Sequence, residues 1–174
     1  PRPVVVWSHG GGARDEATLE MNREWATALA RAGYVVVQPA HISPDAAALC
    51  AKLGVTNPAE CARLQWMTWY RPSDARAVLD ALPAVVAAFP QLAGRVDLAR
   101  VAYAGHSFGA FTSMAVAGAR VDYAPGHMDV SWAHPLPRAF LALSPQGPGR
   151  FGFHDTSWRE IARPVLTASG AGDA

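Results

Sequence analysis

The residues best suited to chemistry stand at Gly105-His106-Ser107-Phe108-Gly109. A serine with a glycine two positions away on each side can occupy the apex of a very tight turn between a strand and a helix. The flanking sequence supplies both elements. Val101-Ala102-Tyr103-Ala104 reads as a buried strand, and the small and apolar residues through Gly118 read as a buried helix. Gly105 and Gly109 let strand and helix pass without a Cβ clash, and the strained turn lifts the Ser107 hydroxyl clear of the sheet. The first helical amides, chiefly Phe108 N–H, are then aimed at an oxyanion formed at the serine. The chemistry of such a turn is nucleophilic attack by Ser107. The plain alternative is a Gly-Ser turn ahead of a buried helix. His106 adjoins the serine and is expected at its pocket.

Ser8-His9-Gly10-Gly11-Gly12 forms a glycine-rich loop directly after the apolar run Val4–Trp7. It lacks the G-x-G-x-x-G spacing and no P-loop lysine follows, so it does not read as a nucleotide site. An H-G-G-G turn combined with a later G-x-S-x-G reads instead as the second half of an oxyanion hole, the alternative being a surface turn. His9, at the start of the turn, reads as a histidine that braces the loop rather than as a catalytic base. Further along, the run Val165–Ala168 leads into Ser169-Gly170-Ala171-Gly172-Asp173, which puts a carboxylate beyond the C-terminal end of a strand. Gln146, in the loop Ser144 to Gly149, either faces the pocket or serves the turn.

Five β-rich runs must carry these loops: Val4–Trp7, Tyr34–Gln38, Val101–Ala104, Ala139–Leu143 and Val165–Ala168. They are apolar on both faces, as strands of a covered parallel sheet are, and helical stretches separate them, so the class is α/β. Met21, Trp25, Ala28, Leu29 and Ala32 make one apolar stripe of a helix that Gly33 ends. Residues 39–71 form an irregular excursion, with a short helix expected near Asp45–Leu53, a turn at Asn57-Pro58 and a second helix approaching Tyr70. The excursion carries Trp66, Trp69 and Tyr70. It reads as a pocket wall or partial lid over 41–71, with Trp69 at the pocket, or as aromatics that pack the excursion onto the domain. Arg71-Pro72-Ser73-Asp74 is expected to open the next helix, with Val78, Leu79, Leu82, Val86 and Phe89 as its apolar stripe and Pro83 kinking or splitting it.

A chain of 174 residues with 51% hydrophobic and 17% charged residues is expected to form one domain with a real core. The net charge is +1, with Lys52 the one lysine among 15 basic residues. Scattered arginines do not make a nucleic-acid surface, and no apolar run is long enough to span a membrane. Cys50 and Cys61 are equally readable as a local disulfide or as two thiols; without histidines at ligand spacing they make no zinc site. The chain opens on a strand without an initiator methionine and closes at Ala174, so it reads as a piece of a longer chain, and its compartment and oligomeric state stay open.

Taken together, VVVWSHGGG, the helix ending ARAGY, VVVQPAH, RPSDARAVLDAL, VAYAGHSFGAFTSMAVAG, ALSPQG and PVLTASGAGD resemble the α/β-hydrolases of the dienelactone-hydrolase-like group. The likeness is greatest to bacterial relatives of platelet-activating-factor acetylhydrolase and to polyester hydrolases. The resemblance covers most of the chain and leaves 41–69 and 120–138 outside it. It implies an α/β-hydrolase fold and a Ser…Asp…His triad in that chain order, with Ser107 as nucleophile and Asp173 as acid. Asp155 is the competing acid. The residue after His-Gly corresponds to Gly11, whose amide would join that of Phe108 in the oxyanion hole. The family's histidine follows the acid, and only Ala174 follows Asp173 here, so the histidine is expected beyond residue 174. The expected activity is cleavage of carboxylic esters, small or lipid-like, through an acyl-serine, without metal or organic cofactor. A lactone hydrolase is the sister reading, which the serine at 107 disfavours because dienelactone hydrolases typically use cysteine. A non-catalytic binding module on the same fold is the reading from another class.

Overall fold

The computed structural model describes residues 1–11, 20, 22–41, 46–63, 66–123 and 126–172. Five parallel strands, β1 (Arg2–Ser8), β2 (Val35–Val37), β3 (Val96–His106), β4 (Pro137–Leu143) and β5 (Val165–Ala168), form one sheet in the order β2-β1-β3-β4-β5. Among the described residues the helices are α1 (Arg23–Arg31), α2 (Ala46–Lys52), α3 (Pro58–Arg63), α4 (Trp66–Ala87) and α5 (Phe108–Ala117), with a 3₁₀ turn at Pro90–Leu92. The expected α/β class, a parallel sheet with helices against it, is met.

Alternation along the central strands divides the core between the two faces. Val4, Val6, Val101, Tyr103 and Phe140 meet Ala75, Leu79 and Leu82 of α4 and Val116 of α5 on one face. Val5, Trp7 and Ala104 meet Leu29 of α1 on the other. Every residue of α5 is buried. That is why its sequence shows no amphipathic stripe: a helix covered all round has no reason for one.

Several boundaries differ from the sequence expectation. Strand β3 starts at Val96, five residues early, because Val96 and Asp97 pair with Arg2 and Pro3 before the register shifts. Asp97 accepts from Ala99 N–H at 3.0 Å and from Arg100 Nε at 2.7 Å, which folds the irregularity between the two paired stretches. Asn57-Pro58 is a helix start rather than a turn: Asn57 Oδ1 accepts from Ala59 N–H at 2.9 Å, with Pro58 as the first residue of α3. Helix α4 does not open at Arg71 but at Trp66, and it runs through both Pro72 and Pro83. An internal proline costs a helix about 3 kcal/mol. Burying Leu79 and Leu82 contributes about 1.5–3 kcal/mol each, which offsets a large part of that cost. Phe89 falls beyond the helix and is 47% exposed, so it does not belong to the stripe. Trp25 is likewise half-exposed and meets the core by stacking on Trp7.

The excursion is pinned at two places. Cys50 and Cys61 form a disulfide, which decides between the two readings of that pair. Trp69 meets Tyr123, His127 and Trp132 edge-on, so segments 39–71 and 120–138 pack against each other.

Strand β1 and helix α5 approach each other as closely as backbones can. A Cβ on Gly109 would lie 2.0 Å from Ser8 O, and one on Gly105 would lie 2.3 Å from Gly109 C and O. Neither neighbour can yield, since both are backbone. Gly109→Ala should therefore destabilise the chain by at least about 3 kcal/mol in urea unfolding, the upper end for overpacking. An unchanged midpoint would mean that strand and helix are not in this contact.

Candidate active site

Ser107 sits between β3 and α5 with φ 54° and ψ −116°, a conformation that costs a residue with a side chain about 1–3 kcal/mol. The two flanking glycines and the bond from Ser107 N–H to Leu143 O, 2.8 Å, hold it there. Ser107 O accepts the first helical amides, those of Ala110 and Phe111, while the serine side chain caps none. The hydroxyl is thus left for other work at the positive end of a helix.

The glycine loop leaves the same sheet edge. Ser8 and Gly105 are register partners, and the loop then crosses the turn. A Cβ on Gly10 would be 3.6 Å from Ser107 Cβ and from His106 Nδ1, and one on Gly11 would be 3.8 Å from Phe108 Cβ. The expected oxyanion pair, Gly11 and Phe108, is therefore brought into one place, with His106 beside it.

A cavity of about 520 Å³ opens at Ser107, lined among the described residues by Ser144, Pro145, Gln146, Gly147, Pro148, Arg150 and Phe151. Gln146 faces this space, and its Oε1 is buried with no partner among the described residues. Trp69, in contrast, lies in the aromatic group with Tyr123, His127 and Trp132 and is not in the described lining. Asp155 is exposed, in the turns before β5. Asp173 lies outside the described residues.

Beneath the loop is a polar network that sequence reading did not assemble. His41 Nε2 and Ser8 Oγ are 2.8 Å apart, Ser8 Oγ and Tyr103 OH 2.6 Å, and His41 Nδ1 and Asp74 Oδ2 3.2 Å. The carboxylate accepts a hydrogen bond from His41 Nδ1–H, which leaves Nε2 to accept from the Ser8 hydroxyl. This Asp-His-Ser order mimics a triad, but Ser8 is fully buried and so serves the scaffold. Arg71, also buried, donates from Nη1 to His9 O at 2.8 Å and from Nη2 to Gly10 O at 2.9 Å, and lies 4.8 Å from the centre of the Phe108 ring. His9 Nδ1 is 2.7 Å from Gly10 O, a separation that needs the ring proton on Nδ1. His9 thus braces the loop, as its position suggested, and its Nε2 has no partner among the described residues. The signal that could have exposed the network was the placement of His41 and Asp74 just after β2 and early in a helix. Nothing in the spacing said that the two would meet Ser8.

Burial, reinforced by the Arg71 charge, lowers His9 to about 4. Burial also lowers His41, against the opposing pull of Asp74. Burial brings Arg71 down to about 10, so it stays charged at neutral pH.

No protein-family profile matches the chain, and no curated protein matches it. Among solved structures it is similar to the apo form of Thermogutta terrifontis esterase 2, with a TM-score of 0.45 and 18% identity over 92% of this chain and 51% of that one. It is similar too to esterase PE8, with a TM-score of 0.43 and 20% identity over 97% and 68%. The Thermogutta terrifontis esterase 2 phosphorylated by paraoxon gives 0.46 and 16% over 98% and 72%. The chain thus spans about half the length of the first of these. The hydrolase-type fold is read from this chain itself: parallel strands in the order β2-β1-β3-β4-β5, with the strained serine between a central strand and its helix.

The two lowered histidines carry a pH dependence. Unfolded, each takes up its proton near 6.5, whereas folded His9 resists until about 4. Stability is therefore greatest above the unfolded value of 6.5 and falls as pH drops from there towards 4, with His9 and His41 acting in the same direction. Unfolding midpoints measured from pH 7.5 to 5, above the carboxylate range, should fall steadily, and His9→Gln should flatten part of the slope. A level profile over that range would contradict neutral, buried rings at both positions.

Proposed function

We propose that the chain carries the nucleophile and oxyanion hole of a serine hydrolase that cleaves carboxylic esters through an acyl-serine. The observation that carries this reading is the strained Ser107 turn with the Gly10-Gly11 loop laid across it and a cavity open at the serine. Ser107 Oγ attacks the ester carbonyl. The amides of Gly11 and Phe108 hold the tetrahedral oxyanion, a donor of this kind being worth about 3–4 kcal/mol of barrier. The alcohol leaves with a proton from the base, and water then releases the acid by the same steps in reverse order.

The base is a histidine, which in the order Ser…Asp…His follows the acid, and the acid we assign is Asp173. Five of the six histidines have other commitments, and the sixth, His106, directly precedes the nucleophile in the chain. His9 holds Gly10 O, and His41 bridges Ser8 and Asp74. His127 lies 3.2 Å from Leu53 O, His134 3.0 Å from Asp80, and His154 near Asp122 and Asp129. The substrate class is an ester of small or lipid-like character, by the same resemblance to acetylhydrolase-like enzymes. Gln146 and His106 are its proposed surroundings, and the reaction needs no cofactor.

The protein expressed from its whole reading frame should turn over p-nitrophenyl acetate, and Ser107→Ala should lower kcat/KM by at least about 10³-fold with an unchanged unfolding midpoint. Asp173→Asn should cut the acylation rate by about 10⁴, because the imidazole loses its orienting acceptor. Asp155→Asn should change it less than about tenfold. Undiminished turnover in Ser107→Ala would end the hydrolase reading, and exchanged effects of the two aspartates would move the acid to Asp155.

A further inference from the structure

The guanidinium of Arg71 holds the carbonyl oxygens of two consecutive residues, His9 at 2.8 Å and Gly10 at 2.9 Å, from a buried position on α4. Gly10 O also accepts from His9 Nδ1 at 2.7 Å, so both of its lone pairs are used. The peptide that carries Gly10 C=O carries Gly11 N–H as well. That unit is planar and trans, as all described peptides here are, so its N–H points away from its carbonyl. Whatever fixes the carbonyl on one side fixes the amide on the other. The same guanidinium lies 4.8 Å from the Phe108 ring centre, against the residue that supplies the second amide. On the strand side of the loop, Ser8 is held by His41 and Tyr103.

We propose that Arg71 is the positioning residue of the oxyanion hole: by holding His9 and Gly10 carbonyls it sets the Gly11 N–H at the angle that a tetrahedral oxyanion on Ser107 requires. This rests on the hydrolase reading above. Arg71 does not touch the substrate. Its contribution grows as the carbonyl oxygen gains charge, since a fixed amide is worth more to the oxyanion than to the ground-state ester. A lysine would keep the charge but offers a single ammonium in place of a planar fork, so it cannot satisfy both carbonyls with the same geometry.

The test uses the protein from its whole reading frame with p-nitrophenyl acetate as substrate and phenylboronic acid as a probe that becomes tetrahedral on the serine. Arg71→Met should lower kcat by about 100-fold with KM within about threefold, and should weaken boronate binding by a similar factor. Arg71→Lys should lose about tenfold in kcat, and added guanidinium should restore part of the activity of Arg71→Gly. A role in folding alone would lower the unfolding midpoint and the active fraction, but leave kcat per titrated Ser107 and boronate affinity unchanged. That result, or an Arg71→Met kcat within threefold of the parent, would overturn the proposal. If Arg71→Met does not fold, Arg71→Lys and its boronate affinity decide by the same criteria. A parent protein without Ser107-dependent turnover would instead bring down the hydrolase reading, and this inference with it. Ser107-dependent turnover left undiminished in the Arg71 variants removes the inference alone.

Discussion

Between Ser8 of β1 and Gly109 of α5 there is no room for a methyl group, and the arrangement of the site follows from that contact. The chain after β1 must cross the start of α5, so the glycine loop has to lie over the Ser107 turn. Ser107 in turn must take a left-handed backbone, because strand and helix diverge within one residue of it. The cost, about 1–3 kcal/mol, is small beside the burial of the whole of α5 between the sheet and its neighbours. Strain at one residue is thus stabilised by apolar packing along ten. A serine held in this way is raised from the sheet and faces the cavity formed by the loop after β4.

Once the loop lies over the turn, its carbonyls point inward and need donors. Buried carbonyls left unpaired cost about 1–3 kcal/mol each, and a buried guanidinium costs more without partners. Arg71 and the two carbonyls solve one another's problem, with the Phe108 ring covering the cation's remaining face. Asp74, one turn further along α4, serves the same loop from below through His41 and Ser8. A single helix therefore carries both groups that fix the approach to the loop.

Beyond His41, which bonds Ser8 of β1, the excursion between β2 and α4 is tied down by covalent and aromatic contacts. Its disulfide closes a short loop, and Cys50 packs with Leu53, Val55 and Tyr123. Tyr123 then meets Trp69 and accepts from Trp132 Nε1 at 2.8 Å. Burial pushes the Tyr123 hydroxyl well above its ordinary range, so it remains a neutral partner. These contacts join two segments that lie apart in sequence and give the excursion a small core of its own.

The sequence alone determined the parallel strands and the serine turn, because both depend on neighbours in the chain: apolar runs of strand length, glycines at fixed offsets from Ser107, and small residues after it. It also determined that Gly33 ends α1, where φ is +97°. It did not determine where α4 begins, since a proline reads locally as a break while the helix is held by residues on β1 and β3. Nor did it reveal the group around the glycine loop. Ser8, His41, Arg71, Asp74 and Tyr103 come from two strands, a loop and a helix, up to 95 residues apart. Each reads locally as an ordinary strand, loop or helix residue. Only the folding of α4 against the sheet brings their polar atoms together, because buried donors and acceptors must find partners wherever the topology leaves them.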